Sequence, residues 1–342
     1  MKIAFVISSM NSVSGRSNGV TMQAVTWLEG LRDLGHDVVA INSWGDYDWK
    51  TFDIIQLFGV SSDIKNIFLT LKKRCNARFV FSPIIDTERA WYMSRLAGKI
   101  KIPMLHLTSP WGDILDIAAE RPFFLARSNY EREYIHKACN VGLEYIYTVP
   151  LGYRNFPPQG NNFSGSRTDS CLHVSILSGA RKNVVRLINA AIKYKFNLIL
   201  AGSCGDDNFK CYLNEVISKN NNIQYVGKVS DEKLFELYSS VKCFALPSLF
   251  EGVGLVALEA AACGCDIVLT DRGAPKEYYN GLAYLVDPLS VDDIGRAILK
   301  ILNGASKQPA LTKHIIDCYS PNVLAKKLED VYSEICNRNK WD

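Results

Sequence analysis

The segment from Cys243 to Gly264 constrains the fold of this chain more than any other part of the sequence. An apolar run, Cys243–Leu246, leads into a loop that contains Gly252 and Gly254, and an almost uncharged helical stretch follows. A short apolar run, a Gly-rich loop and a helix make the strand–loop–helix corner of an open α/β sheet. Ligands bind such sheets at the carboxyl ends of the strands, where this loop begins.

Two carboxylates stand in this unit, with seven residues between them. Glu251 lies in the loop, and Glu259 is the only charged residue of the helix that follows. A carboxylate inside a buried helix is costly unless hydrogen-bond donors surround it, and sugar and ribose hydroxyls are such donors. Gly252 and Gly254 let a ligand approach backbone N–H groups, and the helix N-terminus favours phosphate. The structural alternative is that Glu259 pairs with a neighbouring lysine or arginine.

Length, charge and cysteine usage limit the class of protein. The 342 residues suit two domains better than one, and the net charge of +4 permits an anionic substrate or an anionic membrane surface. The charge is too small for the dense basic patches of a nucleic-acid-binding protein. The ten cysteines form no C-x-x-C pair, and neither a signal peptide nor a run of about 18 apolar residues appears. These features predict a reduced, cytoplasmic protein that binds no nucleic acid.

Short apolar runs alternate with helical patterns, which predicts parallel sheets wound in β–α–β units. In the first half the predicted strands are Lys2–Ile7, Val38–Ile41, Ile54–Leu57, Phe79–Phe81, Met104–Leu107, Phe123–Ala126 and Ile146–Val149. In the second half they are His173–Leu177, Leu198–Ala201, Ile223–Val226, Cys243–Leu246, Asp266–Leu269 and Ala283–Val286. A stretch rich in Pro, Gly, Asn and Ser predicts a linker over Tyr153 to Asp169.

The sequence Pro-Ser-Leu-Phe-Glu-Gly-Val-Gly-Leu at 247–255, with Ala-Cys-Gly at 262–264, resembles the donor site of retaining glycosyltransferases of family 4. The resemblance implies the GT-B fold, in which two Rossmann-like domains have parallel sheets facing a central cleft. It implies an acceptor-binding domain at 1–152 and a nucleotide-sugar donor-binding domain at 170–320. Residues 321–342 would form a C-terminal helix that crosses back to the first domain.

The resemblance also implies roles for individual residues. Glu251 would contact the transferred sugar and Glu259 would hold the ribose of the nucleotide. The backbone N–H groups between them would bind sugar hydroxyls and the diphosphate; these belong to Gly252, Val253, Gly254 and Leu255.

Cations for the diphosphate are expected after the first strand of the second domain. Lys182 matches the family's lysine, whereas Leu177 stands where the family has an arginine. Arg181 could substitute, because a guanidinium can bind phosphate with two hydrogen bonds. Further donor-binding residues implied by the family are Gly19, at the start of the first helix, and Lys228 and Val229, in a loop near the nucleotide base.

One departure concerns the acceptor side. Many family members have a histidine in the loop after the fifth strand, and Trp111 occupies that position here. His106 and Asp113 are the nearby groups able to hold a proton, so both are candidates for the catalytic base. The leaving phosphate could itself accept the acceptor's proton, which makes a protein base dispensable.

The resemblance therefore implies a retaining glycosyltransferase that moves a sugar from a nucleoside-diphosphate sugar to a hydroxyl of a glycan or lipid-linked glycan. Bacterial surface polysaccharide or lipopolysaccharide assembly is the expected setting. No metal or other cofactor is predicted, because no Asp-x-Asp stands near a strand end. The Leu177 and Trp111 departures leave open a non-catalytic GT-B protein, and a GT-B epimerase or phosphorylase is a further alternative. A dehydrogenase is disfavoured, because no G-x-G-x-x-G follows the first strand.

Two basic amphipathic segments, at 64–74 and 89–101, suggest peripheral association with an anionic membrane at the inner face of the cell membrane. The first pairs Ile64, Ile67, Phe68 and Leu71 with a cationic end; the second contains Trp91, Tyr92 and Met93. The alternative is that the apolar stripe of the first segment packs on the sheet of its own domain.

Overall fold

The computed structural model of the chain describes residues 1–8, 19–42, 44–100, 109–154 and 166–338. The chain divides into two compact units, of which the first combines Met1–Gly152 with Pro321–Asp342. The second unit is Tyr153–Ser320. Among these described residues each unit has a six-stranded sheet in which the strand pairs are parallel, so the predicted α/β class is confirmed.

The strands of the first unit are β1 (Lys2–Ile7), β2 (Asp37–Ala40), β3 (Ile54–Phe58), β4 (Arg78–Ser82), β5 (Phe123–Ala126) and β6 (Ile146–Thr148). Those of the second are β7 (Thr168–Val174), β8 (Asn197–Ala201), β9 (Ile223–Gly227), β10 (Val241–Leu246), β11 (Asp266–Thr270) and β12 (Tyr284–Val286). The helices are α1 (Gly19–Asp33), α2 (Ser62–Lys72), α3 (Trp91–Lys99), α4 (Pro110–Ala119), α5 (Asn129–Cys139), α6 (Val184–Tyr194), α7 (Asp207–Lys219), α8 (Asp231–Ser240), α9 (Leu255–Ala262), α10 (Pro275–Tyr279), α11 (Val291–Leu302), α12 (Ala310–Tyr319) and α13 (Pro321–Asn337).

The sheet of the first unit has the strand order β2-β1-β3-β4-β5-β6. Its central strand β3 is buried at every position, as expected for a parallel strand that is covered on both faces. Phe5 and Phe58 meet edge to face on one side, with ring centroids 4.9 Å apart. The core on the other side includes Ile64 and Phe68 from α2.

The C-terminal helix α13 packs against the first unit. A Cβ atom at Gly30 of α1 would lie 2.7 Å from the Cβ of Ala325, so the close approach of the two helices requires glycine there. The hydroxyl of Tyr332 donates to Oε1 of the buried Gln56 at 3.0 Å. His36 and Glu329 form a further contact of 2.9 Å. The predicted final helix is thus part of the core of the first unit.

The sheet of the second unit has the order β12-β11-β10-β7-β8-β9. The chain runs from β7 outward to β8 and β9, and then returns to the other side of β7 to form β10. Such a reversal of strand order opens a crevice at the carboxyl ends of the two central strands. The loops that follow β7 and β10 therefore border the same crevice.

Most predicted strands lie within one or two residues of the observed ones, but the first strand of the second unit was misplaced. The predicted strand His173–Leu177 overlaps β7 only at its last two residues. Thr168 and Asp169 were predicted as part of the linker, although they begin β7 and Thr168 pairs with Val241 on β10. The predicted strand Met104–Leu107 lies outside the described residues. No helix in the described part of the chain is long and apolar enough to cross a bilayer.

His173 on β7 is a buried titratable group beneath the crevice. Its Nδ1–H donates to the carbonyl of Ala245 at 2.8 Å, and its Nε2 accepts from the hydroxyl of Ser175 at 2.7 Å. Burial lowers the pKa of His173 from 6.5 to about 4, against the opposing effect of the Ala245 bond. The imidazole is therefore neutral in the folded protein under ordinary conditions.

We expect the free energy of unfolding to fall as the pH drops from 6.5 toward 4, because only the unfolded chain then protonates His173. The full shift corresponds to roughly 3 kcal/mol. His173→Asn retains a donor for Ala245 and should flatten this dependence. Urea unfolding followed by circular dichroism at about pH 7 and about pH 5 measures it. An identical pH dependence in both proteins would contradict the assignment.

Candidate functional site

The turn after β7 and the loop after β10 are joined directly at the crevice. The N–H of Leu249 donates to the carbonyl of Arg181 at 2.8 Å, and Nη1 of Arg181 donates to the carbonyl of Phe250 at 3.2 Å. The predicted cations and the predicted loop carboxylate therefore lie on two segments that hold each other in place.

Asn183 fixes the turn that carries these cations. It is buried, has left-handed backbone geometry with φ of 58°, and donates its side-chain amide to the carbonyls of Pro247 and Pro288 at 2.8 and 2.7 Å. Asparagine tolerates this backbone conformation better than most residues. One side chain thus links the turn after β7 to the loops after β10 and β12.

Glu251 is buried at the centre of this arrangement. Its Oε1 accepts from Nζ of Lys182 at 2.6 Å and from the hydroxyl of Ser248 at 2.7 Å, while Nη1 of Arg181 lies 3.8 Å from Oε2. The structure therefore brings together Glu251, Lys182 and Arg181, whose roles toward a donor stay predictions. Two hydrogen bonds and two cations compensate the buried negative charge.

The backbone of Glu251 is also held. It forms an isolated parallel bridge with Gly273, and its carbonyl accepts from the N–H of Ala274 at 3.3 Å. A Cβ atom at Gly273, where φ is +95°, would lie only 2.0 Å from the carbonyl oxygen of Glu251. Glycine is therefore required for the loop after β11 to pack against the backbone of Glu251.

Four backbone N–H groups follow Glu251 and lead into α9. Gly252, Val253 and Gly254 are buried, and Leu255 is the first residue of the helix. Within the described residues, no hydrogen-bond acceptor is present for these four N–H groups. Such donors at a helix N-terminus can receive sugar hydroxyls or a phosphate group.

Glu259 lies on α9, and an arginine holds both of its carboxylate oxygens. Nε of Arg154 donates to Oε1 at 2.5 Å and Nη2 donates to Oε2 at 3.2 Å. The hydroxyl of Tyr238 donates to Oε2 at 3.2 Å, and Nη1 of Arg154 also contacts Oδ1 of Asp231 at 2.8 Å. Burial raises the pKa of Glu259 above its ordinary value, although these hydrogen bonds oppose the shift. The structural alternative, a pair with arginine, is realised in this conformation.

Three further residues were predicted to bind the donor. Lys228 is exposed and Val229 is half-buried in the loop after β9, just before Asp231 begins α8. Gly19 is the exposed first residue of α1 and belongs to the first unit. The structure gives these three residues no contact that indicates a role, so their roles stay predictions.

The structure describes two of the three residues considered for the acceptor side, Asp113 and Trp111. Asp113 on α4 forms an ion pair with Lys65 of α2 at 2.5 Å and accepts from the hydroxyl of Ser62 at 2.8 Å. Both of its oxygens thus connect α4 to α2, and its role as a general base stays a prediction. Trp111 packs near Tyr134 with ring centroids 5.7 Å apart, and His106 lies outside the described residues.

Sequence reasoning missed Arg154, Ser248 and Tyr238. Ser248 was visible beside Glu251, but nothing in the sequence showed that its hydroxyl faces the carboxylate. Arg154 lies 105 residues before Glu259, in a stretch that reads as linker, so no spacing rule could connect them. Within the described chain, no group of three or more His, Cys, Asp or Glu residues is arranged to hold a metal.

Comparison with known proteins finds a family match within the second unit. Residues 172–317 match the family model described as glycosyl transferases group 1. The O-antigen chain mannosyltransferase B of Escherichia coli is 34% identical over 133 residues, which cover 37% of this chain and 35% of that protein. The aligned part thus spans about a third of that relative's length.

Two solved structures are similar over almost the whole chain. A glycosyltransferase from Rickettsia africae has a TM-score of 0.73 at 17% identity and covers 98% of both chains. HepE from Anabaena, solved with UDP and glucose, has a TM-score of 0.69 at 17% identity and covers 98% of this chain and 100% of its own. Residues 172–317 are therefore similar to the glycosyl transferases group 1 family, in a chain with the two-sheet α/β fold of GT-B glycosyltransferases.

Proposed function

We propose that the chain is a retaining glycosyltransferase that transfers a sugar from a nucleoside-diphosphate sugar to a hydroxyl of a glycan or lipid-linked glycan. The observation that carries the proposal is the arrangement after β10. Two buried carboxylates, Glu251 and Glu259, flank four backbone donors beside Lys182, at the point where the strand order reverses. A nucleotide sugar offers hydroxyls for both carboxylates and a diphosphate for the donors between them.

Lys182 is the group proposed to stabilise the departing diphosphate. Its ammonium is about one-fifth exposed and is held by Glu251, so it faces the crevice with its position already fixed. Leu177 is fully buried and cannot supply the second cation, whereas Arg181 is 44% exposed at the same crevice. Fixed positive charge near a leaving phosphate lowers the barrier without a metal ion, so the proposed reaction is metal-independent.

Retention would follow from attack on the face that the diphosphate leaves. The acceptor hydroxyl would approach on that side, and the leaving phosphate oxygen would accept its proton. Glu251, held in place by Lys182 and Ser248, would orient the hydroxyls of the transferred sugar. In this account the second unit binds the donor and the first unit binds the acceptor.

The relatives suggest a substrate class. The Escherichia coli protein is named for mannosyl transfer in O-antigen chains, and the Anabaena protein was solved with UDP and glucose. We therefore propose a role in lipopolysaccharide or other surface polysaccharide assembly at the inner face of the cell membrane. UDP and GDP are the first donor nucleotides to test.

Lys182→Ala should lower turnover by about 100-fold or more, because the departing diphosphate loses its fixed cation. Release of nucleoside diphosphate from UDP-sugars and GDP-sugars, with a polysaccharide acceptor, measures the rate. The thermal stability of the variant must be measured as well, because Glu251 also loses its main ionic partner. Arg181→Ala, on the same turn, tests in parallel whether a second cation contributes.

If Arg181 substitutes for the missing family cation, Arg181→Ala also loses turnover while its thermal stability stays close to that of the wild type. A near-wild-type rate for a folded Lys182→Ala protein would contradict the proposed role of Lys182.

We further propose that α3 docks the first unit on an anionic membrane. The α2 segment is excluded, because Ile64, Phe68 and Leu71 are buried in the core. The α3 segment instead exposes large apolar side chains next to Arg89 and Lys99; these are Trp91, Tyr92, Met93, Leu96 and Ile100. Apolar side chains beside cations suit the interface of an anionic bilayer.

Reversing two of these charges, Arg89→Glu with Lys99→Glu, should abolish sedimentation with anionic liposomes at low salt. Each cation near such a surface contributes about 1 kcal/mol, so the double reversal removes a large part of the attraction. Lys219→Glu, on an exposed helix of the second unit, is the control and should bind like the wild type. If wild-type protein stays in the supernatant with anionic and neutral liposomes alike, a soluble acceptor is favoured.

A further inference from the structure

The Arg154 guanidinium is hydrogen-bonded to Glu259, the carboxylate that would bind ribose. An ionised carboxylate has about four acceptor positions in total. Two are filled by Arg154 and one by the hydroxyl of Tyr238. About one position is left, whereas the two hydroxyls of a ribose need two. Glu259 therefore cannot hold this arginine with both bonds and a ribose with both hydroxyls.

Arg154 also bridges two sides of the expected nucleoside position. Its Nη1 reaches Asp231 at 2.8 Å, and Asp231 directly follows the loop with Lys228 and Val229, where the base is expected. Its Nε and Nη2 reach Glu259, where the ribose is expected. The guanidinium thus lies between the two groups that a bound nucleoside would contact.

We propose that Arg154 is a built-in competitor of the donor nucleotide, and that ribose must displace its guanidinium from Glu259. The inference rests on the proposed function, because it takes Glu259 as the ribose ligand. In the unliganded protein the arginine compensates a buried negative charge that would otherwise be costly. The ribose hydroxyls take over that compensation when the nucleotide binds.

The contacts of Arg154 make such a displacement feasible. About a quarter of its side chain is exposed, and its second partner Asp231 is 68% exposed. The guanidinium can therefore leave Glu259 while it remains near Asp231 at the surface. The carboxylate itself stays fixed, because Tyr238 and the buried helix α9 hold it.

The test compares ribonucleoside diphosphates with their 2′,3′-dideoxy counterparts, because only the former can compete for Glu259. Arg154→Gln replaces two charged hydrogen bonds with a weaker neutral one, and it should tighten UDP or GDP binding by about 10-fold. Binding of the dideoxy compounds should not change. Isothermal titration of the full chain measures both affinities.

Arg154→Lys keeps a positive charge near Glu259, but an ammonium group lacks the planar pair of donors with which a guanidinium binds both carboxylate oxygens. It should therefore give an intermediate gain in nucleotide affinity. The lysine variant can also be used for the test if the glutamine variant does not fold. Arg296→Gln removes an exposed arginine on α11 and is the control for the change in net charge. It should bind like the wild type.

Equal affinities in wild type and both Arg154 variants would overturn the proposal. It would also be overturned if the variants bound ribo and dideoxy compounds more weakly by the same factor, since Arg154 would then contact the bound diphosphate. If neither the wild type nor any variant binds a nucleoside diphosphate, the proposed function itself fails. Tightening confined to ribonucleotides supports both.

Discussion

Two negative charges in the interior of the second unit organise its site. Glu251 and Glu259 are each almost fully buried, and a buried carboxylate needs hydrogen bonds and cations to remain ionised. Lys182 and Ser248 serve Glu251, and Arg154 and Tyr238 serve Glu259. In both cases a partly exposed cation comes from an earlier part of the chain: Lys182 lies 69 residues before Glu251, and Arg154 lies 105 residues before Glu259.

The strand order explains why these groups meet. Lys182 and Glu251 follow neighbouring central strands, so a reversal of direction in the sheet places both at one crevice. Asn183 then ties the turn to two other loops, and Gly273 lets a third loop pack on the Glu251 backbone. The fold thus places Lys182 and Glu251 at the crevice, and a few side chains compensate the charge of the buried carboxylates there.

The sequence predicted what depends on local pattern. Parallel strands buried on both faces are near-continuous apolar runs, so most were located, and the Gly-rich loop identified Glu251 together with its helix. The start of β7 was missed because its first residues are polar, and the α2 stripe could not be assigned to core or membrane by periodicity alone. Arg154 could not be found, because its pairing with Glu259 depends on tertiary structure across 105 residues.

The central claim is that the second unit binds a nucleoside diphosphate through Glu259. Calorimetric titration of the wild type and Glu259→Gln with UDP, GDP and ADP tests it most directly. We expect one of these to bind the wild type, and the variant to bind it about 10- to 100-fold more weakly, because an amide accepts fewer hydroxyls than a carboxylate. Unchanged affinity in a folded Glu259→Gln protein would contradict the account and leave Glu259 as a structural partner of Arg154.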